Sequence, residues 1–400
     1  MSVVDNFVSR RNVKTRSART RESIAAFGFL FPNLLGFLMF TFVPVFLSLA
    51  AAFVHWNIFD APHWVGIRNF QDLLWFHSDG GHSVPNDPFF WKYVYNTVCL
   101  MIGVPVGMAG SLILAMLMNQ KTKAIVIFRT IYFLPTVCSG VALLVLWKYL
   151  LNGDIGLINK SLRVLGEFVF SSPLIAVPFT ALCALSLGAL LLGATASVLA
   201  LIRWLCMKLQ IGWGDGLLKL LLVISGALIF AVVIGCGRMI YAAAYTFLLA
   251  PPDWLGTVRW AKPSLIIMGF WGGVGGYNMI LYMASLQGVP SSYYEAAEID
   301  GAGPWAKFWA ITWPMISPTT FFILIMGIIG GLQSGFMTAN VMTEGGPAGS
   351  TTTIDYYLYQ TAFQRFNMGY ASAIAWFLFA VILMLTLITW KVGGKVVTYD

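Results

Sequence analysis

The sequence predicts an all-α polytopic membrane protein of about eight transmembrane helices with both termini in the cytoplasm. Three observations carry this. Hydrophobic residues make up 58% of the 400-residue chain and charged ones only 10%, with a mean hydropathy of +0.79, far outside the range of soluble domains. Apolar runs long enough to cross about 30 Å of hydrocarbon, roughly 20 residues each, recur along its length. The net charge of +8 is spread over short connectors instead of one stripe, which suits membrane topology better than a nucleic-acid surface.

The spans follow in order. Arg10, Arg11, Lys14, Arg16, Arg19 and Arg21 lie in a basic segment, 1–23, ahead of an apolar run from Ile24 to Val54. That run is too long for a signal-peptide core, so it is expected to stay as the first span with its N-terminal side in the cytoplasm. The loop from His55 to Trp91, rich in Trp, Pro and Gly, suits the outer interface. A second span is expected at about Tyr93–Met118, with Gly103, Gly107 and Gly110 along one side for close packing. A third follows at about Thr130–Leu151.

Two more apolar stretches, Pro173–Ile202 and Leu217–Ala250, read as a hairpin turned by a basic connector carrying Arg203, Lys208 and Lys219. Arg238 is the one charge well inside it. It is a functional candidate by position, although from near the outer end its long side chain can reach the headgroups, which is the preferred reading. Spans at Pro263–Gln287, Thr319–Val341 and Ala371–Trp390 complete the set, and Lys391 and Lys395 place the tail, 392–400, inside. The five cysteines, odd in number and without a CxxC pair, read as small buried residues.

Pro290–Pro318 is the longest stretch not built for hydrocarbon. Ser292 with Glu295 has capping-box spacing, predicting a short helix. Gly301-Ala302-Gly303-Pro304 predicts its end, a left-handed glycine followed by a proline that opens a second helix. Trp305, Phe308, Trp309 and Thr312 then recur with helical spacing, an aromatic stripe for the membrane surface or the bundle, before Pro314 and Pro318 break the chain. On residues alone, Glu295 serves equally well as a cap or as part of a partner-docking face.

EAAEIDGAGPWAKFWAITWP, 295–314, resembles the EAA loop of permease subunits of bacterial ATP-binding-cassette importers. LNGDIGLIN at 151–159, WGGVGGYNMILYMASLQGVP at 271–290 and EGGPAGSTT followed by AFQRFNMGYASA are similar to the carbohydrate-uptake branch, the maltose and glycerol-phosphate type. The resemblance covers roughly 25–391 and implies a six-helix permease core, 24–166 and 251–391, interrupted by 167–250 as an inserted two-helix hairpin. It further implies a second permease subunit, two cytoplasmic ATPase subunits, an extracytoplasmic solute-binding protein and a sugar substrate. By matching position, Glu295, Ala296, Ala297, Asp300 and Gly301 would form the helix that couples to the ATPase.

Tyr277, Asn278, Gln333 and Ser334 are polar residues at a depth where a substrate pathway is expected, or else they make ordinary interhelical hydrogen bonds. The glycines beside Tyr277 read as packing devices. No catalytic constellation, cofactor motif or metal-ligand spacing stands out, and the four histidines share one loop at unsuitable intervals. The chain lacks the GxxxxGK[ST] phosphate loop, so ATP hydrolysis is expected in a separate subunit. An ion-coupled secondary transporter is the competing class, but mid-membrane carboxylates and repeated halves are not evident. A permease for a non-sugar solute is the nearer alternative.

Overall fold

The computed structural model describes residues 22–79, 82–120, 125–208, 223–229 and 237–393, which are overwhelmingly helical. Among the described residues six helices are long and apolar enough to cross a membrane: α1 (Glu22–Ala52), the pair α3 (Phe90–Leu100) and α4 (Gly103–Met118), α8 (Pro173–Lys208), the pair α10 (Val258–Gly273) and α11 (Gly276–Gln287), α13 (Pro304–Gln333) and α16 (Met368–Gly393). Between α1 and α3 the chain folds into two small antiparallel hairpins, β1 (Val54–His55) with β2 (His63–Trp64) and β3 (Phe76–Asp79) with β4 (His82–Pro85), around the short helix α2 (Arg68–Leu74).

The expected third span is not a straight helix. It consists of α5 (Ile125–Val137) and α6 (Gly140–Leu150), bent by 100° across Cys138–Ser139. Pro135 removes a helical donor, the Thr136 hydroxyl bonds back to the Phe133 carbonyl at 2.6 Å, and Ser139 adopts an extended ψ of 131°, so the ladder fails there. Counting that pair as one gives seven spans among the described residues. The further span expected at Leu217–Ala250 lies partly outside the described residues, which include only 223–229 and 237–250 of it. The side chain of Arg238 is also outside them. Among the described residues the cysteines are not buried: Cys138 is exposed and Cys99 and Cys183 are half-buried. A thiol is apolar enough to face hydrocarbon.

The described residues form two compact units. The first contains 22–108, 281–336 and 352–393. Its core gathers Leu73, Phe90, Tyr93, Leu332, Ile354, Tyr357, Ile374 and Leu378, drawn from α2, α3, α13, α15 (Ile354–Tyr359) and α16. Asp87 is nearly buried just before α3, and its Oδ1 accepts from the amides of Phe89 (2.9 Å) and Phe90 (3.1 Å). Its Oδ2 accepts from the hydroxyls of Tyr357 and Tyr370, both at 2.6 Å. One carboxylate thus ties three helices together.

The second unit contains 109–280 and 337–351. Here α7 (Leu157–Phe170) packs with α8 and α9 (Gly237–Leu249). A side chain at Gly166 would press on Leu248 and Leu249, and Phe170 meets Tyr241 and Tyr245 edge-on. Trp254 Nε1 donates to the buried Asn159 Oδ1 at 2.6 Å, so the chain segments before and after 167–250 are joined directly. Gly110 takes the close-packing role expected of it, because a Cβ there would lie 2.5 Å from Val274.

The span α10–α11 is interrupted at Val274–Gly275, where Gly275 and Gly276 have φ of +100° and +56°. Free backbone groups inside a membrane need partners, and Ser111 of α4 supplies them. Its fully buried hydroxyl donates to the Gly273 carbonyl (2.8 Å) and accepts from the Gly275 amide (3.0 Å). Ser111→Ala leaves both orphaned and is expected to cost about 1–3 kcal/mol, read as a lower unfolding temperature in detergent. An unchanged transition would show that other groups satisfy the break.

Candidate functional site

The helix predicted from Ser292 forms as α12, Ser291–Ile299, but its start is built differently. Pro290 is the cap, with φ −61° and ψ 133°, and no side chain caps the helix. The proline ring already sets the extended entry, which moves Ser292 into the first turn and leaves Glu295 exposed instead of reaching back. The helix end matches the expectation. Gly301 has φ +75°, its amide bonds to the Glu298 carbonyl at 3.0 Å, and the Ala302 amide bonds to the Ala297 carbonyl at 2.8 Å. This pair of bonds is the Schellman pattern.

Gly303 caps the next helix and Pro304 is its first residue, as expected. The predicted break at Pro314 and Pro318 does not occur, and α13 runs unbroken from Pro304 to Gln333. A π-helical turn at Phe308–Thr312 precedes Pro314, widening the ladder where the ring would strike the preceding turn. The carbonyl of Pro314, which Pro318 cannot serve, accepts from the Ser317 hydroxyl at 2.7 Å. Trp305, Phe308, Trp309 and Trp313 form one ring cluster at the base of α13, with Trp305 and Trp309 exposed.

Two side-chain links join α12 to this base. Tyr294 Oη and the buried Thr312 Oγ1 are 2.9 Å apart, and Lys307 Nζ donates to Glu298 Oε1 at 2.6 Å. That bond and the lysine charge hold the Glu298 carboxyl below its usual range. Glu295, Ala296, Asp300 and Gly301 are exposed and Ala297 is half-buried, so the matched residues leave α12 with an open face of short side chains and two carboxylates.

The candidate pathway residues lie at helix interruptions. Tyr277, exposed, and Asn278, half-buried, begin α11 directly after the glycine break. Gln333 and Ser334, both exposed, end α13, and the chain restarts as α14 (Gly335–Thr338) and a π-helical turn, Ala339–Thr343. The glycines near Tyr277 therefore do more than pack: Gly275 and Gly276 break the helix, while Gly269 and Gly272 face open space.

Asp355, which the sequence did not single out, caps the second break. Its carboxylate accepts from the Phe336 amide and, at 3.0 Å, from the Tyr356 amide. Burial pushes its carboxyl above the ordinary value, and these bonds oppose the rise. An acid with a raised folded pKa loses stability as pH climbs from its unfolded value through the folded one. Asp355→Asn, which can still accept from Phe336, is therefore expected to abolish that dependence and unfold nearer to the wild type. Asp355→Ala orphans the amide at about 1–3 kcal/mol. Equal melting of both variants at every pH would refute the capping role.

Lys148, Arg163, Asp154, Asp253 and Glu344 line a cavity of about 580 Å³ in the second unit. They come from four separate stretches of chain, so no local sequence signal marks it.

Long apolar helices, the breaks in them and an exposed short helix locked to a span define a polytopic membrane protein of the transport type. The chain belongs to the family described as binding-protein-dependent transport system inner membrane components, whose match spans residues 103–390. It is 28% identical over 391 residues to the probable ABC transporter permease protein YesP of Bacillus subtilis, covering 97% of this chain and 96% of that one. It is 30% identical over 309 residues to the lactose transport system permease protein LacF of Rhizobium radiobacter, covering 76% and 75%. Among solved structures it resembles a bacterial ABC transporter involved in the import of the acidic polysaccharide alginate, with a TM-score of 0.64, 18% identity and coverage of 96% and 100%. At that identity the likeness establishes the fold. The protein is thus a multi-pass component of the bacterial inner membrane.

Proposed function

We propose that the chain is the membrane-spanning subunit of an ATP-driven importer that moves a sugar or sugar derivative inward by alternating access. The observation that carries this reading is the α12–α13 elbow, an exposed helix with the EAA residues locked to the base of a span. Glu295, Ala296, Ala297, Asp300 and Gly301 are the face that meets a separate cytoplasmic ATPase. Tyr277, Asn278, Gln333 and Ser334 line the pathway, since helix breaks expose backbone groups that a polyhydroxylated solute can use. Relatives named for lactose and sn-glycerol-3-phosphate support the substrate class.

The partners are a second permease subunit, forming a heterodimer, two ATPase subunits and an extracytoplasmic binding protein. Residues 24–166 and 251–391 form the core, with both termini cytoplasmic, and 167–250 is an inserted peripheral hairpin. The Asn159–Trp254 bond supports that division because it closes the core beneath the hairpin. Purification from native membranes tests the proposal: co-isolation with an ATPase and a second permease, and ATP-dependent uptake in liposomes, is expected. A chain that purifies alone and transports on an ion gradient would overturn it.

A further inference from the structure

We infer that Tyr294, Thr312, Glu298 and Lys307 are positioning residues that make α12 one rigid piece with the span after it while leaving it hinged to the span before it. The inference rests on the importer reading and specifies where a push on α12 goes.

The two sides of α12 are built unequally. Downstream, the Schellman turn at Gly301, the Tyr294–Thr312 hydrogen bond and the Glu298–Lys307 ion pair bridge the same elbow. Thr312 is buried on the π-helical turn, and the Lys307 side chain is 17% exposed, so both anchors are held by packing. A surface ion pair alone contributes little, but here it acts beside a hydrogen bond to a buried hydroxyl, and the two fix position and rotation together. Upstream, α11 stops at Gln287, the amides of Gly288 and Val289 bond back to carbonyls of its last turn, and α12 begins after Pro290. Among the described residues no side chain of Ser291–Ile299 bonds back to α11.

A force on the exposed face of α12 therefore turns it about Val289–Pro290 and moves the base of α13 with it. That helix has 30 residues, a lever of about 45 Å at 1.5 Å per residue. Its far end is the break at Gln333–Ser334, so the stroke reaches the candidate pathway through one continuous element.

The test uses the full chain in its assembled importer, with the five native cysteines replaced by alanine. Spin-label distances are measured from Ser292→Cys to Phe322→Cys on α13, and separately to Ala284→Cys on α11. The double variant Tyr294→Phe with Lys307→Met is expected to broaden the first distribution and leave the second unchanged. In transport assays it should keep hydrolysing ATP while solute moved per ATP falls about tenfold. The charge exchange Glu298→Lys with Lys307→Glu should restore the ratio in a background retaining Tyr294, which a merely misfolded elbow would not allow. Unbroadened distances, or an unchanged ratio of uptake to hydrolysis, would overturn the inference. Absence of any ATP-dependent uptake by the wild-type assembly would instead overturn the importer reading, and the distances would still decide whether the elbow is rigid.

Discussion

Gly301→Val is expected to abolish uptake while the chain still inserts in the membrane, whereas Gly301→Asn retains most of it. The reason lies in the backbone. Gly301 holds φ +75°, and a Cβ there meets nothing within 4 Å, so no clash within the chain forbids a larger side chain. What a larger residue loses is the left-handed conformation, at about 1–2 kcal/mol for a residue with a Cβ, and more for a β-branched one. Escaping that strain breaks the Gly301–Glu298 and Ala302–Ala297 bonds and lets the end of α12 unwind. A helix of nine residues has little intrinsic stability in reserve. Asparagine tolerates the left-handed region, so it separates conformation from surface. Loss of uptake in both variants, with normal membrane insertion, would show that the ATPase contact itself needs the small side chain.

Residues that announce a backbone conformation were legible in the sequence, and residues whose partners lie far away in the chain were not. Gly301 and Pro304 mark the end of one helix and the start of the next because their own dihedral preferences decide the structure locally. Glu295 was misread as a cap because Pro290, two residues upstream of Ser292, already sets the entry to the helix. Pro314 and Pro318 look like breaks on paper, yet a π-turn and the Ser317 hydroxyl absorb both defects, and neither remedy can be read from spacing. The membrane class was plain from composition. The shape of the third span was not, since a 100° bend at Cys138–Ser139 hardly disturbs the hydropathy of 125–150. Ser111 and Asp355 are short polar residues whose importance lies in backbone groups 164 and 19 residues away in the chain.

Asp87 shows that limit most sharply and carries the largest expected loss of stability. In the sequence it is one of several scattered acidic residues in an outer loop. In the fold it accepts four hydrogen bonds, two from amides at the start of α3 and two from the tyrosines of α15 and α16. Burial and the adjoining carboxylate raise the Tyr357 hydroxyl above its ordinary pKa, so it stays protonated and donating. The Arg365 guanidinium lies 5.4 Å from the centre of the Tyr357 ring. Asp87→Ala strands two phenols and two amides where water is scarce, and the expected loss is on the order of 3 kcal/mol or more, since hydrogen bonds to charged groups contribute about 1.5–3 kcal/mol each. Tyr357→Phe and Tyr370→Phe remove one donor apiece and leave the carboxylate three partners, so each should cost less than the alanine variant. Combined, they should cost more than the sum of the singles, because the first loss leaves the second tyrosine as the remaining phenol on Oδ2. Thermal unfolding in lipid nanodiscs reads all four variants. If Asp87→Ala melts with the wild type, or if the two tyrosine effects simply add, the carboxylate is not what holds these three helices together.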